Sequence, residues 1–203
     1  MITVATLFWQ ANRKGQAYSS MYDTSWVEKL YRGVARNLTQ PFDFVCYVDR
    51  AYAFAEPINT RQIRSEVPSY ADCVQPFEMG VPMILMGLDT VITGPIDHLA
   101  DYCLTADTIA LPRDPYRPSR ACNGVCLVPE GNEHVFTAWN GENDMDWMRK
   151  QEHVLIDDLF PGQVQSFKGA VRDQGLGDTR ICYFHGAEKP HELAEPWIAE
   201  HWR

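Results

Sequence analysis

The sequence predicts an α/β protein with a mostly parallel central sheet flanked by helices. Apolar, β-rich runs alternate along the chain with helix-like segments, the order that builds a parallel sheet through crossover helices. With 203 residues, 45% hydrophobic and 12% aromatic, the chain can bury one substantial core, so 1–203 is read as a single domain. Charged residues make up 22%, and glycines and prolines are spread rather than clustered, which indicates neither disorder nor low complexity.

Taken in order, residues 2–9 are the first candidate strand. From Ser25 the apolar positions Trp26, Leu30, Val34 and Leu38 recur at four-residue spacing just after Asp23-Thr24-Ser25, which can cap a helix. That helix crosses over into a second strand, 42–48, closing at Asp49. A third strand, 81–88, ends at Asp89, and Pro95 stops the run that follows, before a short helical turn at Ile96-Asp97-His98-Leu99. Further strands are expected at 108–111, 124–128, 164–167 and 181–184, and helices at 133–140 and 151–160. Residues 113–120, with two prolines and three arginines, read as a loop.

Charge excludes some partners. A formal net charge of -9 argues against a grip on nucleic acid or anionic lipid, which needs basic residues over an extended surface. A diphosphate can still bind an acidic protein where a metal ion or local cations offset its charge. The apolar opening, Ile2 to Trp9, has no positively charged leader and no cleavage site, and no apolar run approaches the roughly 20 residues that span a bilayer. The expectation is a soluble, cytoplasmic protein. Its six cysteines, with no CxxC pair, read as reduced core thiols.

In an open α/β sheet, ligands bind beyond the carboxyl ends of the strands, so polar residues just after apolar runs are the first candidates. Asp89 follows one such run and His185 another, and a sheet can bring both to one edge. A carboxylate and an imidazole, completed by phosphate oxygens and water, suit Mn²⁺ or Mg²⁺. Trp9 and Asp49 stand at the ends of the first two strands and join the candidate ligand-binding set. Glu142, Asp144 and Asp146 read as a solvated acidic loop, although a reaction that needs a carboxylate base could draw on one of them. His134 and His153, on expected helices, read as surface or packing residues, and Trp139, Trp147, Trp197 and Trp202 as core or interface aromatics.

The stretch Leu85-Met86-Gly87-Leu88-Asp89-Thr90-Val91-Ile92-Thr93-Gly94-Pro95 resembles the strand, DxD motif and following turn of GT-A glycosyltransferases, particularly small proteins similar to family 8. Phe184-His185-Gly186-Ala187-Glu188-Lys189-Pro190 resembles their closing motif, Asn123-Gly124-Val125 their "N.G" strand start, and 160–168 a further segment ending in Ser166-Phe167-Lys168. The resemblance implies a single GT-A, Rossmann-like domain that transfers a sugar from a nucleoside-diphosphate sugar, a UDP-sugar first, to an unidentified acceptor hydroxyl. It implies Asp89 and His185 as metal ligands, Lys189 as the diphosphate lysine, and Asn123 and Gly186 as further donor contacts, Gly186 letting backbone approach a phosphate. Gln151 would stand near the sugar as the catalytic amide.

The chain also departs from the pattern. Gly87 stands where the first DxD aspartate is expected, Lys150-Gln151 replaces a "DQ" pair, and Tyr70-Ala71-Asp72-Cys73-Val74 replaces a "W.K" element. These departures support an alternative, a catalytically impaired module that keeps the nucleotide-sugar pocket. A nucleotidyltransferase ranks behind both, because Trp9-Gln10-Ala11-Asn12-Arg13-Lys14-Gly15 carries the charges but a single glycine.

Overall fold

The computed structural model describes residues 1–15 and 20–203. Among them, ten strands form two sheets. The larger has the order β3-β2-β1-β4-β7-β6-β8, built from β1 (Ile2–Phe8), β2 (Phe42–Val48), β3 (Asn59–Gln62), β4 (Met83–Met86), β6 (Ile109–Leu111), β7 (Val125–Val128) and β8 (His153–Leu155). Only β7 runs against the others, so the sheet is mostly parallel. The smaller sheet, β5-β10-β9, pairs β5 (Thr90–Ile92) antiparallel and β9 (Val164–Ser166) parallel to β10 (Ile181–Tyr183).

Two-residue periodicity divides the larger sheet's side chains between two cores. Val4 and Phe8 of β1, Phe44 and Cys46 of β2, Ile84 and Met86 of β4 and Leu127 of β7 face one core. Helix α1 (Thr24–Asn37) covers it with Trp26, Val27, Leu30 and Val34, and α2 (Asp97–Thr105) with Leu99, Ala100 and Cys103. The intervening residues Ala5, Leu7, Val45, Tyr47, Met83, Leu85 and Cys126 face the other core, closed by Val74 and Phe77 of a 3₁₀ segment, Tyr70–Met79. Burial of both faces explains why these strands are apolar throughout. Asp23 caps α1 by accepting from the Ser25 N–H at 2.9 Å.

Several expectations change. The helix expected over 151–160 is the edge strand β8 followed by one turn, Ile156–Leu159. Parallel pairing of β8 with β6, His153 opposite Ile109, overrides local helix preference, so His153 lies on a strand. The helix expected over 133–140 shrinks to His134–Thr137. Residues 90–92 form β5 rather than a trailing segment, and β3, fully exposed, gave no apolar signal. Five cysteines are buried, Cys73 is half-buried, and all six are free thiols. Among the described residues no helix is long and apolar enough to cross a membrane.

Candidate functional site

The chain passes between the two sheets at Gly87-Leu88-Asp89: β4 belongs to the larger sheet and β5, starting at Thr90, to the smaller. Thr90 pairs with Tyr183, so continuing that antiparallel register outward sets Asp89 beside Phe184 and the chain leading to His185. Ser166 is parallel to Tyr183 in the same sheet. A sheet register therefore gathers the end of β4, the segment after β10 and the end of β9 at one seam. A cleft of about 560 Å³ opens there.

Asp89 is 8% exposed and Lys189 3%. Lys189 Nζ forms an ion pair with Asp89 Oδ2, and the Tyr22 hydroxyl donates to the same oxygen at 3.1 Å. Burial, and then the Asp89 charge, raise the Tyr22 phenol's pKa, which keeps it a neutral donor. The other carboxylate oxygen, Oδ1, leans over Gly87: a Cβ at that position would lie 2.9 Å from it.

His185 is half-buried, and its Nε2 shares a 2.8 Å hydrogen bond with Ser166 Oγ. Ser166 Oγ also accepts from the Gly169 N–H at 3.1 Å. Burial first, then the neighbouring Lys168 and Lys189 charges, lower the His185 pKa and favour the neutral ring. Gly186 follows with φ +62, a left-handed conformation that suits glycine. Glu188 adopts φ 64, uncommon for a residue with a side chain, and its carboxylate reaches Lys168 Nζ at 3.6 Å and Arg172 at 3.5 Å.

The opposite wall comes from the larger sheet. Trp9, just past β1, lines it, and its indole N–H is buried without a partner among the described residues. Asn123 donates through Nδ2 to Asp144 Oδ2 at 2.6 Å. Asp144 is not part of a solvated loop: it is buried at the start of a short helix, α3 (Asp144–Met148), capped by Asn143. Burial raises its pKa, partly offset by the Asn123 hydrogen bond. Glu142 instead holds Lys150 Nζ at 2.7 Å on the outside.

Of the residues singled out in the sequence, Trp9, Asp89, Asn123, His185, Gly186 and Lys189 all line this cleft. Asp49 does not; it is held by Arg50 and the Tyr52 hydroxyl and lines a separate, smaller hollow of about 380 Å³ with Gln10 and Arg64. Gln151 donates to the Trp147 carbonyl at 3.0 Å and is not among the residues lining the cleft. Sequence reasoning passed over Tyr22, and it took Lys168 only as part of a motif and Asp144 as one acid among three. A tyrosine beside a helix cap and an acid in a polar run carry no periodic signal; only the fold aims them inward.

As folded, these groups do not fit a divalent cation. One oxygen of Asp89 is engaged by an ammonium and a phenol, His185 Nε2 is engaged by the Ser166 hydroxyl, and Gly87 offers no side-chain donor. Among the described residues, no group of three or more His, Cys, Asp or Glu side chains lies close enough to hold a metal.

Comparison with known proteins places the fold. No protein-family model and no curated protein sequence matches the chain. Solved structures do. The glycosyltransferase GlyE of Streptococcus pneumoniae TIGR4 superposes with a TM-score of 0.61 at 12% identity over 93% of this chain and 55% of GlyE. The bifunctional glycosyltransferase WbbM gives 0.61 at 10% identity, over 98% of this chain and 50% of WbbM. An active-site variant of LgtC gives 0.59 at 9% identity, over 98% of this chain and 93% of LgtC. The chain thus spans about half the length of GlyE and of WbbM. At such identities the likeness is one of fold: the chain has the GT-A-like fold of glycosyltransferases.

Proposed function

We propose that the protein transfers a sugar from a nucleoside-diphosphate sugar, a UDP-sugar first among them, to an acceptor hydroxyl in the cleft between the two sheets. The buried Lys189–Asp89 pair lining the cleft carries this reading, because it sets an ammonium in the cleft of a glycosyltransferase-like fold, and an ammonium suits a leaving diphosphate. The LgtC structure solved with donor and acceptor sugar analogs lends support, at a TM-score of 0.55 and 10% identity.

In the transfer, the bond from the sugar's anomeric carbon to the diphosphate oxygen breaks and its electron pair stays on the diphosphate. The acceptor oxygen forms the new bond and releases its proton. Lys189 is placed to offset the charge gathering on the leaving group, in a site where burial strengthens such an interaction. Gly186 allows the backbone to approach a phosphate oxygen, and the unpartnered Trp9 N–H offers a donor to the nucleotide. Asp144 is the one acid of residues 142–146 that lines the cleft, so it is the candidate to take the acceptor proton.

Thermal-shift measurements with UDP-, GDP- and ADP-sugars test the proposal directly. Stabilisation by one donor class, diminished in Lys189→Ala and His185→Ala, is expected; no response to any of them sinks it. Gly87 favours one competing reading, a module that binds the donor without chemistry. Tight donor binding without either transfer or donor hydrolysis, across a panel of acceptors, would select that alternative.

A further inference from the structure

The positive charge at this site is organised by side chains rather than around a metal position. Ser166 ends β9 and caps the turn Phe167–Val171, which carries Lys168. Gly169 in that turn packs so closely on the 113–120 loop that a Cβ there would lie 2.4 Å from Pro115 Cβ, which fixes where the turn sits. The consequence is local: Lys168 Nζ lies 3.6 Å from where a Gly186 Cβ would stand, directly over the left-handed glycine. Lys189 stands three residues on and lines the cleft, while the Lys168 side chain is 17% exposed. Glu188, 43% exposed, faces Lys168 at 3.6 Å and Arg172 at 3.5 Å, and Arg172 also pairs with Asp173 at 3.2 Å.

We infer that Lys168 and Lys189 bind the donor's diphosphate without a divalent cation, and that the Glu188 carboxylate is a placeholder anion which the diphosphate displaces. The inference rests on the donor reading above and departs from the metal use that the sequence resemblance implies. Its physical basis is charge. One carboxylate, already neutralised by Lys189, leaves little to attract a +2 ion, and a cation at Asp89 Oδ2 would be pressed against a buried ammonium. Lys168, by contrast, is countered by one half-exposed carboxylate at 3.6 Å, an arrangement worth little and easily exchanged. A diphosphate there gains charge-assisted hydrogen bonds from Lys168 as it shares Lys189 with Asp89.

Isothermal titration with two probes, inorganic pyrophosphate and a UDP-sugar, each in EDTA and in Mn²⁺, tests the inference. For both probes the Kd in EDTA should lie within about twofold of that in Mn²⁺. Lys168→Ala, whose fold is checked by circular dichroism, should weaken pyrophosphate about tenfold or more, the loss expected for a charged hydrogen bond. Glu188→Gln should tighten it by about threefold, the scale of an exposed ion pair. Binding that appears only with Mn²⁺, or tightens tenfold on its addition, overturns the inference and leaves the transferase reading standing. Pyrophosphate binding in EDTA without any binding of the sugar nucleotide supports the cationic site and sinks the donor reading instead. Unchanged binding in both variants also overturns the inference.

Discussion

The two walls of the cleft are built on different physics. The wall from the smaller sheet is ionic: Asp89, His185 and Lys189 line it beside the left-handed Gly186, and Lys168 lies next to that glycine without lining the cleft. The wall from the larger sheet is apolar, broken by an indole N–H and by the buried Asn123–Asp144 pair. The first wall can recognise charge, and the second can exclude water and read shape. A site for a molecule with a charged end and a neutral end needs both.

The largest expected effect lies on the ionic wall. Lys189→Ala removes the ammonium and leaves Asp89 buried with Tyr22 alone, which should cost about 3 to 5 kcal/mol of stability in denaturant unfolding. A loss below about 1 kcal/mol would mean the pair is not desolvated and would erase the contrast between the walls. Next is the line where the walls meet. A Cβ on Gly124 would stand 2.6 Å from the Tyr183 ring, which is itself in contact with Cys122. Gly124→Ala should therefore cost about 1 to 3 kcal/mol as the walls are pushed apart, seen as a lowered urea midpoint with unchanged slope.

Gly186→Ala forces a Cβ into the left-handed region and should cost about 1 to 2 kcal/mol. Because that backbone also faces the proposed diphosphate, pyrophosphate affinity should fall along with stability. A stability loss with affinity intact would place the anion elsewhere. The smallest effect concerns the apolar wall and depends on pH. Burial raises the Asp144 pKa in the folded state, so the folded protein retains a proton that the unfolded chain releases near pH 4. Asp144 therefore subtracts stability as pH rises from about 4 through its raised folded value. The stability of Asp144→Asn relative to wild type should increase across that window and then level off; a constant difference at all pH values would show that the carboxylate is ionised and well solvated.

The fold was legible in the sequence to a useful degree because burial on both faces makes a strand apolar throughout. β1, β2, β4, β7 and β10, and the Trp26–Leu30–Val34 stripe of α1, announced themselves that way. The edge strands did not. β3 is exposed along its whole length, and β8 carries Val154 outward with only a partly buried Leu155 against the core, so neither leaves a clear pattern. The site was legible where it coincided with strand ends, as at Asp89 and His185, and illegible where a side chain arrives from elsewhere. Tyr22 reaches Asp89 across 67 residues; Lys189, which reaches it across 100, was read through the motif resemblance and not through any strand end.

By itself the sequence determined the α/β class, the position of the strand ends and the cluster of polar residues beyond them, because those depend on periodicity and local chain chemistry. Tertiary structure alone decided who partners whom. Lys189, Tyr22 and Ser166 take up Asp89 and His185, and one acid of three, Asp144, turns inward. Those outcomes depend on the register of β5 against β10 and on how far burial removes each group from water, and both are properties of packed chains rather than of neighbouring residues.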